Sequence, residues 1–238
     1  MSAFQREISL IGEENFEKLQ GARVAVFGIG GVGSYAAEAL VRAGVGSLDF
    51  IDGDVVAESN LNRQLIALTS TLGRNKAEVM AARASDISPS CRAAAISVFY
   101  NEQTAPRFDF SVYDYVADCI DSVSDKVRLI LAARAAGVPV LSCMGAGNRI
   151  VSDFRVDVIE KTSGCPLARI VRRELKKAGV TGVKAVYSPS EPLVPSRAQA
   201  EKGERWIGSI SFVPSAAGLL LAGEIVRDLC SLAPSAEK

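Results

Sequence analysis

The 238-residue chain contains no histidine. It therefore has no Ser-His-Asp or Cys-His catalytic pair, no histidine general base and no histidine metal ligand. Acid–base and phosphate chemistry falls to Asp, Glu, Lys, Arg, Cys or Tyr. Cys-x-x-Cys pairs are also missing. The five cysteines, at 91, 119, 143, 165 and 230, are odd in number, which points to reduced thiols in a cytoplasmic protein. Long apolar runs are scarce. The longest near the C-terminus, 216–222, is too short for a bilayer, and the charged stretch 1–18 does not read as a signal peptide. Net charge is absent too, because 27 Lys+Arg balance 27 Asp+Glu. Basic domains are the usual footprint of nucleic-acid binding, so neutrality on its face argues against it.

The charge is unevenly distributed. Residues 1–160 hold 15 basic and 20 acidic side chains, and residues 161–238 hold 12 and 7, so −5 and +5 cancel. The second part also carries Arg169, Arg172, Arg173, Lys176 and Lys177 on one face of a predicted helix at 166–178. Leu167, Ile170, Val171 and Ala178 fall on the other side.

The composition, 48% hydrophobic and 23% charged, suits an ordinary globular protein. Apolar runs predict strands over 23–27, 48–51, 93–99, 113–120 and 139–143. Helical periodicity falls between them at 34–43, 76–87 and 124–136, after a first helix at 13–20. This alternation predicts an α/β fold: a Rossmann-like, doubly wound, mainly parallel sheet with helices on both faces. Further strands are expected at 154–159, 183–187 and 209–213, an antiparallel extension, followed by a C-terminal helix at 215–229. The Pro-, Ser- and charge-rich segment 188–206 reads as a long mobile loop.

Gly28-Ile-Gly30-Gly31-Val-Gly33 follows a predicted strand and opens a predicted helix. Glycines there let phosphate approach backbone N–H groups at the helix N-terminus. Asp52 ends the next strand, where a carboxylate accepts ribose hydroxyls. Up to this point an NAD-dependent oxidoreductase and a non-catalytic nucleotide-binding protein stay open. Beyond Asp54, the side chains of Asn60, Arg63, Gln64 and Lys76 then add cations and amides beside the glycine loop. A triphosphate needs such a set and a nicotinamide does not. Asp121, after the fourth strand, could hold Mg²⁺ on phosphate oxygens.

These motifs resemble the ubiquitin-activating-type (ThiF/MoeB-like) superfamily of adenylate-forming enzymes. The resemblance rests on the glycine loop, Asp52-x-Asp54, Ser59-Asn60-x-Asn-Arg63-Gln64, Lys76 and Ala117-Asp-Cys-Ile-Asp121. It implies that Asp52 binds ribose and that Asn60, Arg63, Gln64 and Lys76 bind and activate ATP, with Asp121 at the metal. It places Arg6 on the triphosphate of a neighbouring subunit and implies a homodimer. The chain then divides into an N-terminal helical arm (1–20), a nucleotide-binding core (21–150) and a substrate-facing, dimer-forming part (151–238).

Ser142 to Asn148, Lys161 to Arg169, Val186 to Ser188 and Gly208 to Pro214 resemble the branch that dehydrates N6-threonylcarbamoyladenosine in tRNA. That branch implies carboxylate adenylation followed by intramolecular cyclisation, with the basic helix and the cations Arg197, Lys202 and Arg205 facing RNA. Tyr187, Trp206 and Phe212 are candidate stacking platforms. A second reading is activation of a small sulfur-carrier protein, with Cys165 accepting a thioester. Cys165 precedes Pro166 at a helix start, where a thiol pKa could fall. Ala217, Leu220, Leu221, Glu224 and Ile225 are candidates for a dimer seam, with a buried internal helix as the equal alternative.

Overall fold

Why the chain makes a parallel sheet is clearest at its first strand. Arg23–Phe27 is apolar without alternation, as a strand covered on both faces requires, and its last four residues are buried. This strand, β1, lies between β2 (Ser47–Ile51) and β4 (Tyr115–Asp118), with β3 (Arg92–Ile96) and β5 (Val140–Cys143) outside them. All these pairings are parallel. β7 (Lys184–Tyr187) runs parallel to β5, and β6 (Arg155–Val158) closes the edge antiparallel to β7. The order is therefore β3-β2-β1-β4-β5-β7-β6. The computed structural model describes residues 3–193 and 207–232.

Period-two alternation sends Val24 and Val26 into one core and Ala25 and Phe27 into the other. The first core is covered by α2 (Glu13–Gly21), α3 (Gly33–Arg42), α4 (Lys76–Ile87) and α7 (Phe212–Leu229). The second lies under α5 (Val123–Ala135) and α6 (Pro166–Lys177), with Phe27, Tyr100 and Phe110 packed together. A short α1 (Gln5–Ile11) precedes α2 across Gly12 and buries none of its residues.

Three expectations are corrected. The strand predicted over 93–99 ends at Ile96. Residues 209–213 form no strand, because α7 begins at Phe212. Pro214 sits in its first turn, where a missing N–H costs no helical hydrogen bond. Ala217, Leu221 and Ile225 are wholly buried in the protomer's own core, while Glu224 pairs with Lys184 at 2.8 Å. The exposed apolar residues of this helix are Phe212 and Leu219 instead. Among the described residues no helix is long and apolar enough to cross a membrane.

Candidate active site

In a doubly wound sheet the crevice opens at the carboxyl ends of the strands where the order reverses, here between β1 and β4. A cavity of about 830 Å³ lies there. It is lined by Gly28, Gly30, Gly31, Asp52, Asp54, Asn60, Arg63, Gln64, Lys76 and Asp121. The nucleotide residues expected from sequence thus converge, except Gly33 and Arg6. Gly33 opens α3 just behind the loop, and a Cβ there would fall 1.8 Å from the Gly28 carbonyl oxygen. Only glycine fits that close approach. Arg6 is exposed on α1 and does not line its own chain's cavity.

Asp52 is anchored by the loop it faces. Ile29 N–H donates to Oδ2 at 2.7 Å, and Asp54 N–H donates to Oδ1 at 2.8 Å. Each oxygen keeps a lone pair for a further donor. Burial pushes the Asp52 carboxyl above its ordinary value, against the two N–H groups and the nearby Lys76.

Lys76 is buried and donates to Asp54 Oδ2 at 2.5 Å. Burial also acts to raise Asp54, but the Lys76 ammonium prevails and holds the carboxyl below its ordinary value. Asn75 sets this pair in place, a residue that the motifs do not include. Its Oδ1 accepts Ala77 and Glu78 N–H groups as the α4 N-cap, and its Nδ2 donates to the carbonyls of Asp52 and Asp54. An Asn just before a helical run is the sequence signal that would have found it.

Ser34 Oγ bonds Gly30 O and accepts Leu65 N–H, so it locks the 63–65 segment over the glycine loop. Arg63 there donates to Ser59 O at 2.7 Å. The Gln64 amide is buried, and its oxygen has no partner among the described residues. Such an orphaned polar atom beside a glycine loop fits a ligand with matching groups. Asp121 and Asp125 both line the cavity. One or two carboxylates suit a Mg²⁺ held chiefly by phosphate oxygens.

Sequence reasoning missed two buried cations. Lys126 Nζ donates to Asp118 Oδ2 at 2.8 Å and to the Cys143 carbonyl at 2.9 Å, so it ties the ends of β4 and β5 together. Arg149 lines the same cavity, as do Met144, Gly145, Cys165 and Leu167. Neither carries a sequence signal, since a lone Lys or Arg reads as surface.

Cys165 is buried at the N-cap of α6, and Cys119 and Cys143 also line the cavity. Burial drives the Cys143 thiol up to about 12, against the attraction of Lys126, and raises Cys119 well above its ordinary value. These two thiols are protonated at neutral pH and suit packing rather than attack.

On α6, Arg169, Arg173, Lys176 and Lys177 are exposed, and Ala168, Val171 and Leu175 form its buried face. Ala178 is exposed rather than on an apolar side. Arg172 is half-buried, donating to Thr162 O at 2.7 Å and Thr162 Oγ1 at 2.9 Å. Tyr187 is buried in the second core and offers no stacking face. Phe212 is exposed. Arg197, Lys202, Arg205, Trp206 and most of the predicted 188–206 loop lie outside the described residues.

The chain is similar to known proteins. The ThiF family model matches residues 4–237. The tRNA threonylcarbamoyladenosine dehydratase of Bacillus subtilis is 40% identical over 238 residues, 95% of this chain and 94% of that protein. The Escherichia coli enzyme of that name is 40% identical over 194 residues, 78% of this chain and 72% of that one. The crystal structure of Escherichia coli tRNA N6-threonylcarbamoyladenosine dehydratase, TcdA, in complex with ATP has a TM-score of 0.87. At 34% identity it covers 96% of this chain and 94% of that one. Fold, cavity and similarity agree, and the chain belongs to the ThiF family.

Proposed function

We propose that this chain is an ATP-dependent tRNA threonylcarbamoyladenosine dehydratase. The observation that carries the reading is the convergence in one cavity of the glycine loop, Asp52, Arg63, Gln64, Lys76 and Asp121. It joins the 40% identity to the Bacillus subtilis enzyme over nearly the whole chain.

Asp52 accepts the ribose hydroxyls. Val98 and Phe99, beside it in the cavity, form an apolar wall for the base. Lys76 exchanges Asp54 for phosphate oxygens, and Arg63 turns from Ser59 O onto the same charge. Asp121 would hold a Mg²⁺ ion, which would supply positive charge against the phosphates. Arg6 reaches the triphosphate from the partner subunit of a homodimer, whose seam uses the exposed Phe212 and Leu219.

The threonyl carboxylate of the modified adenosine attacks the α-phosphorus, and pyrophosphate leaves. The cations offset charge developing on the phosphates, and this electrostatic stabilisation supplies most of the rate enhancement in such transfers. The carbamoyl nitrogen of the same side chain then forms a bond to the acyl carbon. The bond to AMP breaks, the nitrogen's proton goes to solvent, and a hydantoin ring closes. Nucleophile and acyl carbon belong to one side chain, so proximity lowers the barrier. No protein nucleophile is required, and a chain without histidine suffices.

Residues 21–150 carry the ATP site, with the 144–149 turn at its boundary with the acceptor, and the described residues after 150 face the acceptor, with Arg169, Arg173, Lys176 and Lys177 toward tRNA. A soluble, tRNA-modifying enzyme of this kind belongs in the cytoplasm. The test is mass spectrometry of adenosine 37 in modified tRNA incubated with protein and ATP. Loss of one water is expected. An unchanged nucleoside, with ATP–pyrophosphate exchange driven instead by a Gly-Gly-tailed carrier protein, would overturn this reading in favour of sulfur-carrier activation.

A further inference from the structure

Three separate segments meet at the part of the cavity lined by residues 144–149 and 165–167. They follow β5 (144–149), precede α6 (163–165) and follow β7 (188–190). Two of them leave the paired strands β5 and β7 and the third leads into α6, so a group bonded to all three fixes their mutual geometry. Arg149 supplies it. The side chain is only 5% exposed. Its Nε–H donates to Gly145 O at 3.1 Å, and Nη1 donates to Ser188 Oγ at 2.7 Å and to the Ser190 carbonyl. Nη2 donates to Gly164 O at 3.4 Å.

One guanidinium thus reaches all three segments. A planar fork with five fixed donors can do so, whereas an ammonium on a flexible stem is a point charge. Ser188 Oγ in turn donates to Asp153 Oδ1 at 2.5 Å, and Ser190 Oγ donates to Oδ2. The bridge therefore extends to the segment leading into β6. The fit is tight elsewhere too: a Cβ on Gly164 would fall 1.8 Å from the Pro189 carbonyl oxygen. The cavity face of these segments is formed by Met144, Gly145, Cys165, Pro166 and Leu167, none of which is hydrogen-bonded to Asp52 or Lys76 among the described residues.

We propose that Arg149 is the positioning residue of the acceptor half of the site. It holds the wall against which the modified adenosine's side chain lies and leaves the nucleotide half unaffected. The inference rests on the dehydratase reading for what occupies that half. It predicts a split. Misplacing a reacting group by about 1 Å costs about 100-fold, so Arg149→Lys and Arg149→Gln should lower kcat/KM for modified tRNA by about 10- to 100-fold. Affinity for a non-hydrolysable ATP analogue, measured by calorimetry, should stay within about twofold, because none of the ATP-binding groups is bonded to Arg149. Hydrogen exchange supplies a readout free of substrate. Amides of 144–148, 163–168 and 188–190 should exchange faster together in both variants, with 28–33 unchanged. Equal loss of ATP affinity and tRNA turnover, unchanged turnover, or acceleration spread to 28–33 would each overturn the proposal. If the wild-type protein fails to convert modified tRNA, the dehydratase reading falls, and the exchange pattern alone then decides the role of Arg149.

Discussion

Lys126 and Asp118 form a fully buried ion pair, Nζ to Oδ2 at 2.8 Å, beneath the floor of the active-site cavity. Ser142 Oγ donates to the same Oδ2, and Ile120 N–H donates to Oδ1 at 3.1 Å. The pair therefore sets the backbone that carries Asp121. Removing one partner leaves a buried charge uncompensated, which costs about 3–5 kcal/mol. Lys126→Met should lower unfolding stability in urea by that order. The apolar double variant Lys126→Met/Asp118→Leu should regain most of it. A double variant no more stable than the single one would show that the charges are not the issue.

Arg63 and Lys76 are expected to act on phosphate. Removing one preorganised donor of developing charge costs about 100- to 1,000-fold in rate. Arg63→Ala and Lys76→Ala should each slow AMP formation by that order. Among the described residues the Arg63 side chain bonds only to Ser59 O and Asn62 Oδ1, so its loss should leave the melting curve unchanged. Full AMP release by a folded variant would exclude a phosphate role.

The two carboxylates at the lip titrate in opposite directions. Asp54 sits below the ordinary value of 3.8, because Lys76 outweighs burial. It contributes stability that is present above 3.8 and lost as pH falls through its lower folded value. Asp52 sits above 3.8 because burial dominates. It costs stability once pH rises enough to ionise it, and it accepts ribose hydroxyls best when ionised. ATP affinity should therefore weaken on acidification before an ordinary carboxylate would protonate. Titrating ATP at several pH values should show this, and Asp52→Asn should bind weakly with a flat profile. A variant that keeps the wild-type pH profile would remove Asp52 from the ribose.

The helix cations divide by role. Arg169 and Lys176 are exposed, whereas Arg172 is bonded to Thr162. The double charge reversal Arg169→Glu/Lys176→Glu should weaken tRNA binding and reduce its salt slope by about 2, roughly one per phosphate contact. Arg172→Ala should instead loosen the 159–162 turn and change stability more than the slope. Binding assays at several salt concentrations separate the two. An unaltered slope in the double reversal would exclude this face from RNA contact.

The part legible in sequence was local. The buried strands, the glycine turn and the Asn75–Lys76 helix start depend on neighbours within a few residues. Their periodicity and backbone demands are written into the chain. The nucleotide residues follow strands or open helices, and a parallel sheet brings such ends to one edge, so their convergence was readable as well. Burial of charge was not. Arg149 contacts Ser188 across 39 residues, and Tyr115 donates to Asp228 at 2.6 Å across 113. A helical wheel gives the angles between side chains but not which side meets a neighbour. On that account Arg172 turned inward, and Ala217, Leu221 and Ile225 filled the protomer's own core, while Tyr187 is buried by the elements packed on β7. The sequence alone determined the alternating βα order and the residue types for binding a triphosphate. The tertiary structure decided which cations line the cavity free of buried partners and which, like Lys126 and Arg149, are buried and bonded to distant segments. A charge can be buried only where distant segments supply its partners.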